Sequence, residues 1–195
     1  IQGAYWKEEP SPDSLISIVY CGAIAGEAEE AHKVISEDIP GTGLLAITSP
    51  DRLHSDWQQT QQKRLSGKTY VSSHIEKLLH KLNPGAALIS VIDGHPATLS
   101  WLAGVGGHKP YTLGVSAFGE SGNIESLYDL HNIDSNAIID MAALALPTAY
   151  SEKGLPTSMQ IVVPAGQENF VIQMGTTLEK ALALSRRPNF SPVKF

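Results

Sequence analysis

The chain has 195 residues, of which 42% are hydrophobic and 17% are charged, a composition typical of globular proteins and not of disordered ones. It carries 14 lysine and arginine residues against 20 aspartate and glutamate residues, a net charge of -6, with no basic block, which argues against a nucleic-acid-binding surface. No apolar run approaches the roughly 18 residues that a membrane span needs, so no membrane partner is expected.

Strands and helices alternate over the first 131 residues. Short apolar runs predict four buried strands, at residues 15–20, 43–48, 86–92 and 111–115. Helical spacing of apolar residues and capping residues predict five helices, at residues 24–37, 50–65, 73–82, 97–105 and 123–131. Ser73 and Glu76 form a capping box at the start of the third helix. This βαβα rhythm predicts a parallel sheet covered by helices.

After about Asn136 the sequence pattern changes. Apolar runs at residues 142–146 and 159–163 flank a connection that contains proline and glycine, which predicts an antiparallel β-hairpin. Residues 167–184 have apolar side chains on one side and predict a final helix. Because a two-stranded hairpin alone is marginal in water, we expect residues 142–185 to dock on the body of the protein.

The turn Asp93-Gly94-His95-Pro96 lies between the strongest strand signal and a helix. Ligands bind at that edge of an open α/β sheet, and a helix N-terminus favours anions. An imidazole beside a carboxylate could act there as acid, base or anion contact. The alternative interpretation is structural: Asp93 caps the helix, His95 is exposed, and Pro96 fixes the first turn.

The carboxyl ends of parallel strands meet at one edge, which should bring four turns together. These turns contain residues 21–22, 49–51, 93–95 and 118–122. We predict there a site for a small carboxylate or phosphate, with the candidate residues Asp93, Gly94, His95, Gly119, Ser121 and Gly122. The carboxylates of Asp51, Asp93 and Glu120 oppose an anion, so binding should be weak and should improve in mild acid as His95 gains a proton.

Other motifs indicate structure instead of chemistry, and we expect no catalytic residue and no metal ligand. Residues 104–108 are rich in glycine but follow a helix, the reverse of a dinucleotide-binding fingerprint, and the turn at 118–122 lacks the lysine of a P-loop. The seven histidines show no metal-binding spacing, and no serine lies in a nucleophile elbow. The single cysteine, Cys21, is expected to be buried and structural; it excludes an intramolecular disulfide and fits a reducing cytoplasm.

Several segments within residues 1–138 carry a family resemblance. They are IDGHPATLSWL at 92–102, GAYW at 3–6, GA at 22–23, AITSPDRL at 46–53 with Trp57, GH at 107–108, LGV at 113–115, FGESG at 118–122 and LY at 127–128. Together they resemble the C-terminal domain of homodimeric pyruvate dehydrogenase E1-type proteins. The resemblance implies the C-terminal fold of transketolase-like proteins: α/β, in three layers α/β/α, with a mostly parallel sheet of about five strands.

The same resemblance implies a thiamine-diphosphate enzyme and limits what this chain can contribute to it. In that family thiamine diphosphate and Mg²⁺ lie between two domains that precede the C-terminal one, which contributes to dimer packing and to the rim of the active-site entrance. This chain contains no glycine-aspartate-glycine motif leading to a Mg-binding asparagine. The expectation is therefore a homodimer with no cofactor in this chain, and cofactor-binding domains on another chain are a further candidate partner.

A second resemblance covers residues from about 136 to 195. It is carried by DMAALALPT at 140–148, GLPTSMQIV at 154–162 and LE at 178–179. These segments resemble the closing hairpin and helix of amidase-signature hydrolases, whose Ser-Ser-Lys triad lies far upstream, so no amidase catalysis is implied. Two domains are predicted, 1–138 and 139–195. A natural fusion and an assembly artefact both account for such a join.

Three functions fit these patterns. The leading hypothesis is the C-terminal domain of a thiamine-diphosphate-dependent 2-oxo acid dehydrogenase, inactive alone and serving assembly and small-anion binding. The second is an accessory subunit of a split enzyme, and the third is an amidase-type hydrolase. The chain begins at Ile1 and shows no signal-peptide pattern, so we expect a piece of a longer protein or a processed chain, located in the cytoplasm.

Overall fold

The chain divides into two compact units, Ile1–Leu146 and Pro147–Phe195. The computed structural model describes residues 2–12, 14–117, 120–145, 149–150 and 156–157. Almost all of the described residues belong to the first unit. Each unit is described separately below.

The described part of the first unit contains five strands and six α-helices. The strands are β1 (Ala4–Glu8), β2 (Ile16–Cys21), β3 (Gly43–Ile47), β4 (Ala87–Ile92) and β5 (Lys109–Gly114). The helices are α1 (Ala25–Asp38), α2 (Pro50–Leu65), α3 (His74–Leu79), α4 (Ala97–Ser100), α5 (Ile124–Leu130) and α6 (Ser135–Ala145). A 3₁₀ turn, Trp101–Gly104, follows α4.

The five strands form one mixed sheet in the order β1-β3-β2-β4-β5. Strands β2 to β5 are parallel, and β1 runs antiparallel along the outer side of β3. The chain goes from β2 to β3 on one side and then returns to β4 on the other side of β2. The predicted mostly parallel sheet of five strands is confirmed, and the point where the strand order reverses lies between β2 and β4.

Helices cover both faces of the sheet, which confirms the three-layer α/β/α arrangement. The two central strands, β2 and β4, are buried along their whole length, as their apolar sequences predict. On one face, Ala28 and Ile35 of α1 and Ile138 of α6 pack with Ile18 and Ile89 of the sheet. The opposite face is covered by buried side chains of α2, α3 and α4: Leu53, Ile75, Leu79 and Leu99.

Strand β1 was not predicted from the sequence. Only its first residue, Ala4, is buried, so the segment lacks the apolar run that marked the other strands. Its place is fixed by contacts made elsewhere in the chain: Tyr5 pairs with Ala46 of β3, and the indole of Trp6 donates a hydrogen bond to the carbonyl of Leu78, 3.2 Å away. Such an edge strand is specified by its partners more than by its own composition.

The strand predicted at residues 142–146 is wrong, because residues 142–145 belong to α6. Ile138 and Ala142 lie four residues apart on α6 and are both buried against α1. A short apolar run can belong to a buried helix or to a strand, and three alanines in this one favour the helix. The predicted domain boundary at residue 138 falls inside α6.

In the second unit the described residues form one short antiparallel pair. Strands β6 (Ala149–Tyr150) and β7 (Pro156–Thr157) pair Ala149 with Thr157 and Tyr150 with Pro156. This pair flanks the connection predicted for the hairpin. The strand predicted at 159–163 and the helix predicted at 167–184 lie outside the described residues, so the docking of the tail and the division into 1–138 and 139–195 stay predictions.

Candidate functional site

A carboxylate joins the two central strands where the strand order reverses. Oδ2 of Asp93, directly after β4, accepts a hydrogen bond from the backbone N–H of Ala23, 2.9 Å away, in the turn between β2 and α1. The two residues are 70 positions apart in the chain, so this contact ties two separate turns at the carboxyl edge of the sheet. The structure therefore confirms that residues 21–23 and 93 lie together at that edge.

Gly22 makes the approach of this carboxylate sterically feasible. Its φ is +94°, in a region that side-chain-bearing residues rarely adopt. A Cβ built on Gly22 would lie 1.9 Å from Oδ1 of Asp93, so the carboxylate occupies the space that a side chain would fill. An N–H group at the start of α1 is thus already engaged by a carboxylate of this chain.

The turn that follows Asp93 is held against the end of β5. The carbonyl of Gly94 accepts a hydrogen bond from the N–H of Val115, 2.8 Å away. A Cβ on Gly114 would lie 2.6 Å from that carbonyl oxygen and 2.9 Å from the ring of Pro96. Only a glycine at 114 permits this contact between the turn and β5.

The alternative assignment of Asp93 as the cap of the following helix is wrong. No side chain caps α4, whose N-cap position is Pro96, and the N–H of Ala97 donates a hydrogen bond to Nδ1 of His95, 3.2 Å away. His95 itself is exposed, as that alternative expected. The imidazole of His95 accepts this hydrogen bond within its own turn.

The other candidate residues are spread between the described and undescribed parts of the chain. Gly119 lies outside the described residues. Ser121 and Gly122 are exposed and precede Asn123, whose side chain caps α5 by accepting a hydrogen bond from the N–H of Ser126 at 2.8 Å. No hydrogen bond in the described part of the chain joins Ser121 or Gly122 to Asp93, Gly94 or His95. The anion site stays a prediction.

Negative charge dominates the carboxyl edge around Asp93. Burial raises the pKa of the Cys21 thiol, and the charges of Asp93 and Asp51 raise it further. Burial also raises the pKa of Tyr128, and the charges of Asp93 and Glu27 add to that shift. Cys21 is buried, as the sequence predicts. These carboxylates oppose an incoming anion, so they support the expectation of weak binding.

An aromatic group of His54, Trp57 and Trp101 lies on the α2 and α4 face of the sheet. The ring centroids of His54 and Trp101 are 4.9 Å apart, and those of Trp57 and Trp101 are 5.6 Å apart. Gly104 allows close packing here, since its Cβ would lie 3.2 Å from the Trp57 ring. His54 and Trp57 both lie on α2, but their contact with Trp101 was not predictable from the sequence, because Trp101 follows α4 and meets α2 only through the packing of the sheet.

Two cavities lie on the same face, beside α3 and away from Asp93. The larger, about 410 Å³, is lined by residues that include Arg64, Glu76, Lys77, His80 and His108. The smaller, about 260 Å³, is lined by residues that include Arg52, Asp56, His74 and Lys77. Residues 84 and 108 precede strands, which places the larger cavity near the amino edge of the sheet.

The ion pair of Arg64 and Glu76 borders the larger cavity. The two carboxylate oxygens of Glu76 accept hydrogen bonds from Nη1 and Nη2 of Arg64, at 2.7 and 2.9 Å. Burial alone would raise the pKa of Glu76, but the hydrogen bonds from Arg64 and Ser73 outweigh it and leave the pKa below its usual value. Glu76 also closes the capping box with Ser73, as the sequence predicts.

His108 is the one buried histidine among the described residues. Its side chain is 6% exposed, and Nδ1 has no hydrogen-bond partner in the described part of the chain. Burial lowers the pKa of His108, and the nearby backbone of Leu79 and Ala86 offsets only part of that shift. The folded protein therefore favours the neutral imidazole.

We expect His108 to make the fold less stable in mild acid. At pH values below the ordinary imidazole pKa of 6.5, His108 is protonated in the unfolded chain, whereas the folded chain disfavours its protonation. The free energy of unfolding should fall as the pH drops from about 6.5 to 5, and His108→Gln should reduce that slope. Urea denaturation at several pH values measures both, with pH 7.5 as the reference. If the free energy of unfolding falls equally with pH in the native protein and in the His108→Gln variant, this role of His108 is contradicted.

No group of three or more histidine, cysteine, aspartate or glutamate side chains in the described ranges is placed to hold a metal ion. Among the helices that the structure describes, none is long and apolar enough to cross a membrane.

No protein-family model matches the sequence, and no curated protein matches it either. Solved structures do match. The transketolase of Leishmania mexicana is 18% identical with a TM-score of 0.51, over 82% of this chain and 19% of that one. The fold is transketolase-like. The chain spans about a fifth of that protein's length, so the likeness shows the fold alone.

Two further structural neighbours have TM-scores below 0.5. A transketolase of Pichia stipitis, in complex with sedoheptulose 7-phosphate, is 22% identical with a TM-score of 0.48, over 73% of this chain and 18% of that one. A split-gene transketolase, described as an inactive beta4 tetramer, is 14% identical with a TM-score of 0.45, over 71% of this chain and 41% of that one.

Proposed function

We propose that this chain is the C-terminal domain of a thiamine-diphosphate-dependent enzyme, inactive alone, that serves subunit assembly. The observation that carries the proposal is the transketolase-like fold of a chain that spans about a fifth of a transketolase. Within that class, the segments around Asp93 and the FGESG turn favour the 2-oxo acid dehydrogenases of the pyruvate dehydrogenase E1 type. The cytoplasm is the proposed location, since it keeps the single cysteine reduced.

The described residues do not fit thiamine diphosphate and Mg²⁺. A diphosphate needs free N–H donors and positive charge, but the N–H of Ala23 is bonded to Asp93 and the charges nearby are those of Asp51 and Glu27. Magnesium needs a set of oxygen ligands, and no such group of side chains occurs in the described ranges. We therefore derive no catalytic step from these residues, and the amidase-like tail adds none.

The test of the proposal is an assay of the purified chain in isolation. With thiamine diphosphate, Mg²⁺ and pyruvate we expect no decarboxylation, and with the cofactors alone we expect no heat of binding in calorimetry. Sedimentation should show a homodimer. Decarboxylation by the isolated chain would contradict the non-catalytic role, and a clean monomer at high micromolar concentration would contradict the assembly role.

A second chain that supplies the cofactor-binding domains is the alternative arrangement. Co-purification with a larger subunit, together with decarboxylation by the complex and not by either chain alone, distinguishes a split enzyme from a homodimeric assembly domain.

A further inference from the structure

The larger of the two cavities beside α3 has the size of a small-molecule site. Its volume is about 410 Å³, and such sites typically measure roughly 300 to 1,000 Å³. Two buried leucines, Leu79 and Leu82, give it an apolar part, and its polar lining comes from α2, from α3 and from the turn before β5. We name it the α3 cavity. It lies near the amino edge of the sheet, opposite the edge that carries Asp93.

Positive charge prevails on the wall of the α3 cavity. The lysine, arginine and carboxylate side chains that line it are those of Arg64, Glu76 and Lys77. Both carboxylate oxygens of Glu76 are bonded to Arg64, and Oε2 also accepts hydrogen bonds from the N–H and the hydroxyl of Ser73, at 2.8 and 3.0 Å. Since the charges of Arg64 and Glu76 cancel, the ammonium of Lys77 has no counter-charge among the lining residues.

Two side chains of α3 are available to a ligand. Lys77 and His80 lie three residues apart at the end of this helix, so they share one side of it. Both are exposed, and both line the α3 cavity. Neither side chain has a hydrogen-bond or ion-pair partner in the described part of the chain. They can therefore donate to a group that accepts hydrogen bonds.

His108 adds a third nitrogen group to the wall, from the turn before β5. It lines the α3 cavity, yet it is only 6% exposed, and its Nδ1 has no hydrogen-bond partner among the described residues. Gly106, at φ +68°, allows the ring to pack closely, because a Cβ there would lie 3.0 Å from Nε2 of His108. A buried ring nitrogen without a partner destabilises a fold, and a ligand that binds the ring would offset that loss.

We propose that the α3 cavity binds a small organic anion, with its carboxylate or phosphate group at Lys77, His80 and His108 and its apolar part on Leu79 and Leu82. Nitrogen donors around an uncompensated positive charge suit an anion, since hydrogen bonds between charged groups are the stronger kind. The apolar wall favours an organic ligand over an inorganic ion. The site is separate from the carboxyl edge, where carboxylates oppose an anion, and it does not depend on the assembly role.

Four probes separate the charge of the ligand from its apolar body. Benzoate and phenyl phosphate carry both, benzamide lacks the charge, and inorganic phosphate lacks the apolar body. In an amide NMR titration of the full chain, at least one of the two charged organic probes should bind with a Kd of about 1 mM or below and shift the signals of Gly106 and His108. Benzamide and inorganic phosphate should bind at least about tenfold more weakly.

Three outcomes of this titration would overturn the site. They are the absence of binding by both charged organic probes, binding of benzamide as tight as that of the charged probe, and signal shifts confined to the turn at His95. A preference for phenyl phosphate or for benzoate identifies the anionic group of the ligand.

Substitutions test which side chains hold the anion. Lys77→Gln combined with His80→Gln should weaken binding of the charged probe about tenfold or more, and the fold should be retained because both positions are exposed. His108→Gln should weaken it as well. Lys33→Gln is the matched control, since it removes an exposed lysine of α1 on the other face of the sheet and should leave binding unchanged. Native affinity in the double variant, or an equal loss in the control, would overturn the proposal.

Discussion

Gly114→Ala should be strongly destabilising, by about 3 kcal/mol. Its Cβ would lie 2.6 Å from the carbonyl oxygen of Gly94 and 2.9 Å from the ring of Pro96. Neither group can rotate away, because one is backbone and the other is a proline ring. The strand end or the turn must shift, which also removes the hydrogen bond from Val115 to Gly94. Urea denaturation followed by far-UV circular dichroism measures the loss.

The matched control for this substitution is Gly26→Ala. Gly26 is exposed in the first turn of α1, and a Cβ there would meet nothing within 4 Å. Alanine has the better helix propensity, so this variant should be as stable as the native protein or more stable, by up to about 0.5 kcal/mol. Equal stability of the two alanine variants would contradict the close packing of the turn on β5.

Gly22→Ala should cost about 2 to 3 kcal/mol, of which about 1 kcal/mol should depend on Asp93. An alanine at φ +94° is strained by about 1 to 2 kcal/mol whatever surrounds it. Its Cβ would also displace the Asp93 carboxylate, 1.9 Å away, and break the hydrogen bond to Ala23, worth about 1 kcal/mol or more because the acceptor is charged.

A double-mutant cycle separates the two contributions to the Gly22→Ala loss. In an Asp93→Ala background the clash is absent, so Gly22→Ala should cost only the backbone strain. The coupling energy between the two substitutions should be about 1 kcal/mol, favouring the double variant over the sum of the singles. Additive losses would show that the carboxylate does not hold the turn in solution.

Much of the fold was predictable because the central strands are short, mostly apolar runs that are buried at every position. The segments ISIVYC and ALISVI are buried at every position, and such runs bounded by turns are the clearest strand signal in a sequence. Helix α2 begins and ends where the proline and the leucine at its limits predict, and the capping box at Ser73 fixed the start of α3. These elements are determined by short-range patterns.

The parts that were not predictable depend on contacts across the chain. Strand β1 is specified by β3 and by α3, and the helical state of residues 142–145 is specified by the fit of Ile138 and Ala142 on α1. The hydrogen bond from the N–H of Ala23 to Asp93 joins residues that are 70 positions apart in the chain. The residues that follow Asp93, including His95 and Pro96, give no indication of this bond in the sequence.

The adjacency of β2 and β4 has a consequence for the order in which the chain can form its structure. The two strands that are buried along their whole length pair side by side, yet about 70 residues separate them in the chain. During synthesis, β2 can pair with β3 early, but the other edge of β2 stays unpaired until β4 has been synthesised. A nascent chain that ends before residue 87 therefore exposes the apolar edge of β2, a template for pairing with other chains. Chaperone capture of ribosome-bound chains should be strongest over this interval and should decline once β4 has emerged.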